Sequence, residues 1–208
     1  MLFHVIRIDP PKQRIYQRLG YRLTVTQLSP EQQKQTDDLI GEASSLITLQ
    51  GSVVRLPITA REEGMVTLED RVHLASRRLA SFLRECDEVL IMGATAGGLI
   101  MEAIEESLAK DQMSRTVIYD ATASEMTDAA LDWLMDYHRQ TLVREGRELL
   151  SRRYSAGYGD FALENQQIFY ALLDLDAIGI RITPESLLVP EKSVTAVTGI
   201  ARYGITTN

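Results

Sequence analysis

Apolar positions along this chain recur at two periods, and the segments they mark alternate from the N-terminus onward. Residues 2–8 alternate weakly and predict a strand that stops at Asp9-Pro10-Pro11. A short helix follows to Leu19, with Gly20 as its stop. Ser29-Pro30-Glu31-Gln32 combines an N-cap serine, a proline at the first helical position and a glutamine three residues after the cap. It predicts a helix to about Ile47 with Leu39, Ile40, Ala43, Leu46 and Ile47 on one face. Residues 52–58 form the next strand, with Pro57 pointing to an edge position because it cannot donate. From Thr67 the spacing predicts another helix, Glu69 and Asp70 in its first turn, with Val72, Ala75, Leu79, Phe82 and Leu83 as its buried stripe.

Glu88 to Thr95 is a short apolar run ending in small residues, as a buried strand does. Gly97-Gly98 leads into an amphipathic helix through about Ala109. Residues 114–145 are the longest helix-compatible stretch, with Ile118, Ala121, Met126, Ala130, Trp133 and Leu134 along it and no glycine or proline before Gly146. Thr116-Val117-Ile118-Tyr119 also fits a strand, which leaves the start of this element open. Glu164 to Leu175 predicts a helix, and residues 186–203 predict two strands joined around Pro190-Glu191-Lys192. With no internal repeat or linker, the pattern describes one α+β domain over residues 1–208.

Composition narrows the function classes. The 208 residues are 45% hydrophobic and 25% charged, enough for a sizeable core. A net charge of −7 disfavours nucleic-acid and anionic-membrane partners. No apolar run approaches the roughly 18 residues that a membrane span needs. Nothing resembles a signal peptide, and the single cysteine, Cys86, excludes an intramolecular disulfide, so a cytoplasmic location is expected. His4, His73 and His138 lie too far apart to suggest a local metal motif.

Three segments carry candidate chemistry. The run from Arg152 to Phe161 sets two arginines, two tyrosines and two glycines between helical patterns. Arginine offers a fixed fork of donors for a carboxylate or phosphate, tyrosine a flat face with a polar tip, and glycine a close backbone approach. These suit a small anionic, partly aromatic ligand; a glycine-rich turn packed on a helix end is the other reading. Gly93-Ala94-Thr95-Ala96-Gly97-Gly98, between a strand and a helix, invites a phosphate site but matches neither G-x-G-x-x-G nor a P-loop. Tight strand-to-helix packing accounts for it too. Asp128, Asp132 and Asp136 stack on the long helix, either as a solvated acidic stripe or as a face for a cationic ligand centre. Arginine beside such carboxylates would favour a zwitterion. No nucleophile-and-base constellation assembles, which argues against a self-contained hydrolase.

Taken in order, Val89-Leu90-Ile91-Met92-Gly93-Ala94-Thr95, Asp120-Ala121-Thr122-Ala123-Ser124-Glu125, Arg153-Tyr154-Ser155-Ala156-Gly157-Tyr158 and Leu188-Val189-Pro190-Glu191-Lys192-Ser193-Val194-Thr195 resemble one family. It is the activation (reactivation) domain of cobalamin-dependent methionine synthase, and in particular the free-standing proteins that carry only this domain. The resemblance runs from about residue 88 to 200; before that it rests mainly on Arg18-Leu19-Gly20-Tyr21. It implies a mostly antiparallel, twisted sheet flanked by helices.

The resemblance also implies S-adenosylmethionine as ligand, with Arg153 on its carboxylate, Ser155 and Gly157 along the backbone, and Tyr158 between ligand and corrin. Asp128 is the matching acidic residue on the long helix, and Arg152 the solvated neighbour. The implied role is to dock on a cobalamin-bearing methionine synthase or other corrinoid protein and present a methyl group for reductive methylation of cob(II)alamin. A flavodoxin- or ferredoxin-like protein would supply the electron. Ala156-Gly157-Tyr158-Gly159-Asp160 departs from the family's Pro-Gly-Tyr-Pro and cysteine-containing turn. Asp9 and Tyr203 are the nearest counterparts of two further family contacts. A corrinoid-protein interaction module that has lost S-adenosylmethionine binding is the alternative.

Overall fold

The structure is a computed structural model that describes residues 1–21, 28–202 and 204. The chain opens with β1 (Leu2–Phe3), α1 (Lys12–Arg18) and α2 (Pro30–Leu46). At the start of α2 the Ser29 hydroxyl accepts from the Gln32 N–H at 3.2 Å, and Gln32 Oε1 accepts from the Ser29 N–H at 3.0 Å. This is the reciprocal cap that Ser-Pro-Glu-Gln encodes. Next come β2 (Gln50–Glu62), β3 (Met65–Leu68), β4 (Val72–Ala75), α3 (Arg77–Phe82) and β5 (Glu88–Thr95). Then follow α4 (Leu99–Ala109), α5 (Met113–Arg144), β6 (Arg147–Leu149) and α6 (Asn165–Leu173). A 3₁₀ turn (Leu175–Ile178), β7 (Arg181–Ile182), β8 (Leu188–Val189) and β9 (Ser193–Arg202) complete the described chain.

The main sheet runs β4-β3-β2-β5-β9-β6 with β1 beside β2, and every pairing is antiparallel. Its centre, β5, is buried on both faces, which explains its unbroken apolar run. Leu90, Met92 and Ala94 pack with Met126, Ala130 and Leu134 of α5. On the other face Val89 and Ile91 join Phe169, Leu173 and Leu175. A third cluster, with Ile15, Leu39, Ile40, Ile100 and Ile118, binds α1, α2 and α4 to the first half of α5. A fully buried side chain of this kind contributes about 1.5–3 kcal/mol, so α5, which feeds two clusters, is the main strut of the fold.

The α+β class with a mostly antiparallel sheet is as the sequence implies, but four elements differ. The helix expected from Thr67 is instead the β3–β4 hairpin, and α3 begins only at Arg77. Glu69 and Asp70 turn the chain with φ of 48° and 58°, so Val66, Leu68 and Leu74 are buried at a strand period while Ala75 faces solvent. Only Leu2–Phe3 of the expected 2–8 strand pairs, against Gly51–Ser52. β2 runs five residues past Pro57, which sits where β5 pairing ends and β3 pairing begins. The strands around Pro190 are not a hairpin: β8 pairs with β7, and β9 lies between β5 and β6. No helix among the described residues is long and apolar enough to cross a membrane.

Candidate functional site

The run from Arg152 to Phe161 is a loop pinned at three points. Tyr154 exchanges both backbone hydrogen bonds with Val197 of β9, at 2.8 and 2.7 Å. Phe161 is fully buried against Phe169, ring centroids 5.7 Å apart, and its carbonyl accepts from the Gly157 N–H at 2.8 Å. Gly157 and Gly159 take φ of 89° and 64°, the left-handed region that glycine enters without strain. The third pin is Asp160, whose carboxylate accepts from the Ser76 hydroxyl at 2.6 Å and from the N–H groups of Arg77 and Arg78 at 2.8 and 3.3 Å. The Gly159-Asp160 departure is thus structural: it ties the loop to the start of α3, and the Arg78 guanidinium packs over Gly159.

The Ser76 hydroxyl, with the Arg78 and Arg77 N–H groups, holds the Asp160 carboxyl below its ordinary 3.8. A lowered carboxyl stabilises the fold above its unfolded pKa and loses that contribution as pH falls through its folded value. Asp160→Ala is therefore expected to melt below wild type at about pH 7, with a narrower gap at about pH 3, below the ordinary carboxyl value. Thermal melts at the two pH values check this, and equal melting temperatures at the higher one would contradict it.

Between this loop, α5 and the start of β9 lies a cleft of about 520 Å³. Of the residues singled out from sequence, Arg153, Ser155, Tyr158 and Asp128 line it; Gly157 shapes the turn between them without facing the cleft. Ser193, Val194 and Thr195 close the opposite side, which brings the start of β9 to the loop. Lys192 holds this side to α5 through Asp120 at 2.6 Å. Thr195 donates to Gln166 at 2.7 Å, and Ser193 to Thr95 at 2.9 Å. Tyr158 is 71% exposed, a large ring presented to solvent at the rim.

Arg153 is the half-buried member, and its fork is turned toward α5. It donates to Asp132 and lies 3.5 Å from Asp128. Asp132 also accepts from Arg14 at 2.7 Å, while Glu125 is shared by Arg14 and Arg18 at 2.9 and 2.8 Å. Burial raises Asp132, but hydrogen bonds from Arg153 and Arg14 more than offset that and leave its carboxyl lowered. The acidic stripe is consequently not simply solvated. Asp136 does sit at the surface with Arg139, yet Asp132 and Glu125 are neutralised by arginines of α1 and the loop. Asp128 has only longer contacts, 3.5 Å to Arg153 and 4.0 Å to Arg14, and is the carboxylate freest to meet a cationic centre.

A crystal structure of the MetH reactivation domain bound to AdoHcy superposes on this chain with a TM-score of 0.66. The match covers 93% of this chain and 74% of that one, at 13% sequence identity. The chain has the MetH reactivation-domain fold. No protein-family model matches it, and no curated protein does. At 93% coverage the match extends over most of the first 85 residues, where the sequence resemblance is thin.

The same fold accounts for the glycine-rich segment at the end of β5. Its sheet has no parallel pair among the described residues, contrary to what a Rossmann-type phosphate site requires. Gly93 is small because a Cβ there would lie 2.7 Å from Leu175 Cδ2, and Gly97 turns with φ of 83°. Asp9 does not line the cleft, and Tyr203 lies outside the described residues. Cys86 is fully buried, and burial pushes its thiol up to about 11, so it is inert at neutral pH. Sequence reasoning missed Arg78, Gln166 and Thr195, which line the cleft from remote segments. It also missed Arg14 and Arg18 of α1, which reach Glu125 and Asp132 of α5 from more than a hundred residues earlier in the sequence.

Proposed function

We propose that this chain binds S-adenosylmethionine in the cleft and presents its methyl group to the corrin of a cobalamin-bearing partner, a methionine synthase or another corrinoid protein. The observation that carries this reading is the cleft itself. In a reactivation-domain fold it brings Arg153, Ser155, Tyr158 and Asp128 to one concavity, with a guanidinium and a loosely held carboxylate facing it. That donor set fits a zwitterionic sulfonium: Arg153 suits the carboxylate and Asp128 the ammonium or sulfonium. The ligand supplies an electrophilic methyl group, and the residues here bind and orient it, which asks for no acid–base pair. In this reading Tyr158, which is exposed at the rim, meets the partner's corrin face. The electron for cob(II)alamin reduction would come from a flavodoxin- or ferredoxin-like donor.

Incubating the protein with a corrinoid protein, a reductant and methyl-labelled S-adenosylmethionine is expected to give labelled methylcobalamin. Label that never reaches the corrin, although the ligand binds, would refute the methyl-presenting role. The second reading, a corrinoid-protein interaction module without S-adenosylmethionine, draws on the Arg153–Asp132 contact, since a ligand carboxylate must compete with it. Capture of a corrinoid protein without heat from S-adenosylmethionine would favour that reading.

A further inference from the structure

Sharing Arg78, Arg152 and Tyr154 with the ligand cleft is a second concavity of about 680 Å³. Arg77, Arg78, Arg84 and Arg152 surround it, with Phe82 and Tyr154 as an aromatic wall. On a chain of net charge −7, four guanidiniums around one hollow run against the overall balance. They are not one surface run: α3, the turn after it and the segment after β6 each contribute. Among the described residues, Arg77, Arg78 and Arg152 have no carboxylate within ion-pair distance, and Arg84 meets only its neighbour Glu85 at 3.4 Å. Asp160, the carboxylate beside Arg77 and Arg78, is committed to Ser76 and to backbone N–H groups. Arg153 next door shows the contrast, since Asp128 and Asp132 already hold it.

A guanidinium is a planar fork matched to phosphate and carboxylate oxygens. One carboxylate occupies one fork. Four forks around a single hollow match a ligand whose anionic oxygens are spread over two or more phosphorus atoms. The Phe82 and Tyr154 rings, 5.1 Å apart and inclined at 41°, add two aromatic faces, either of which a heterocycle can stack on. We infer that this groove binds a small molecule carrying a di- or triphosphate, with a nucleotide as the class that uses both the arginines and the aromatic wall. The site does not depend on sulfonium binding, but Arg78 and Arg152 couple it to the neighbouring cleft.

Calorimetric titration of the full chain with inorganic pyrophosphate and with ADP, at constant ionic strength, tests this. Both are expected to bind, ADP more tightly, and the R77Q/R84Q double variant is expected to weaken both at least tenfold. These arginines are exposed, and a melting temperature equal to wild type shows that the double variant is folded. Arg153→Ala is expected to leave the pyrophosphate titration unchanged, which separates this site from the sulfonium cleft. Absence of pyrophosphate binding, binding undiminished in the double variant, or displacement by acetate at equal ionic strength would each overturn the assignment. Pyrophosphate binding without S-adenosylmethionine binding would uphold this site and refute the proposed function instead.

Discussion

Arg153→Ala is expected to weaken S-adenosylmethionine binding by roughly ten- to a hundredfold, since a hydrogen bond to a charged group is worth about 1.5–3 kcal/mol and about 1.4 kcal/mol is tenfold. The fold should barely notice. Asp132, the stronger partner of Arg153, keeps Arg14 at 2.7 Å, so no carboxylate is left uncompensated. Melting of the variant should therefore stay close to wild type, as expected for a partly exposed ion pair worth about 0–1 kcal/mol. Asp132→Asn is expected to act in the opposite direction. Removing the competing charge frees the Arg153 fork for a ligand carboxylate, and affinity should rise several-fold.

Calorimetry on the pair of variants decides the matter. An unchanged titration for Arg153→Ala would move the carboxylate site elsewhere, to Arg78 or Arg152, which also line the cleft. The competition also has a defined pH range. Asp132 is lowered, so its pair with Arg153 persists above its unfolded pKa and is lost only as pH falls through the folded value. Asp132 should accordingly stay ionised across neutral pH and give ligand affinity no pH dependence there.

The largest effect on stability is expected from Gly199→Ala. A Cβ on Gly199 would overlap Cys86 Sγ and lie 2.9 Å from Leu83 Cδ2 and 3.0 Å from Leu150 Cδ1. None of these can retreat cheaply: Cys86 and Leu83 are fully buried, and Gly199 sits on β9 opposite Val89 of β5. Overpacking of this kind costs about 3 kcal/mol, and for a chain of this size that lowers the melting temperature by roughly 6–12 °C. The effect should reach the cleft, because Tyr154 and Thr195 hold their places through the same strand. A second change, Cys86→Ala, should recover part of the loss by vacating the space that the new methyl needs. A Gly199→Ala variant melting with wild type would show that β9 can shift, and the account of its packing would fail.

How much was legible varied with how local each determinant is. The Ser29–Gln32 cap and the uninterrupted apolar positions of α5 are contained in a few neighbouring residues, and both elements stand where the sequence places them. The hairpin β3–β4 is also local, yet Glu69 and Asp70 take left-handed conformations without the glycine or asparagine that would announce them. The apolar spacing across residues 66–83 fits a helix face almost as well as two four-residue strands. The loop from Arg153 to Tyr158 was legible because guanidinium, ring and glycine stand close together in the sequence. Arg78 was not, since it reaches the same cleft from a helix more than seventy residues earlier.

The sequence by itself determined the capped helix α2, the central buried strand, the long acidic helix and a loop whose side chains suit a small zwitterion. Those follow from periodicity, caps and the chemistry of adjacent residues. Tertiary structure alone decided that Asp128 and Ser193–Thr195 face that loop, that Asp160 pins it to α3, and that Arg153 rests on Asp132. It also decided that Arg152 joins Arg77, Arg78 and Arg84 of a remote segment around one hollow. Sequence patterns report which face of each element is apolar, whereas side chains far apart in the chain meet only after those faces have packed around one core.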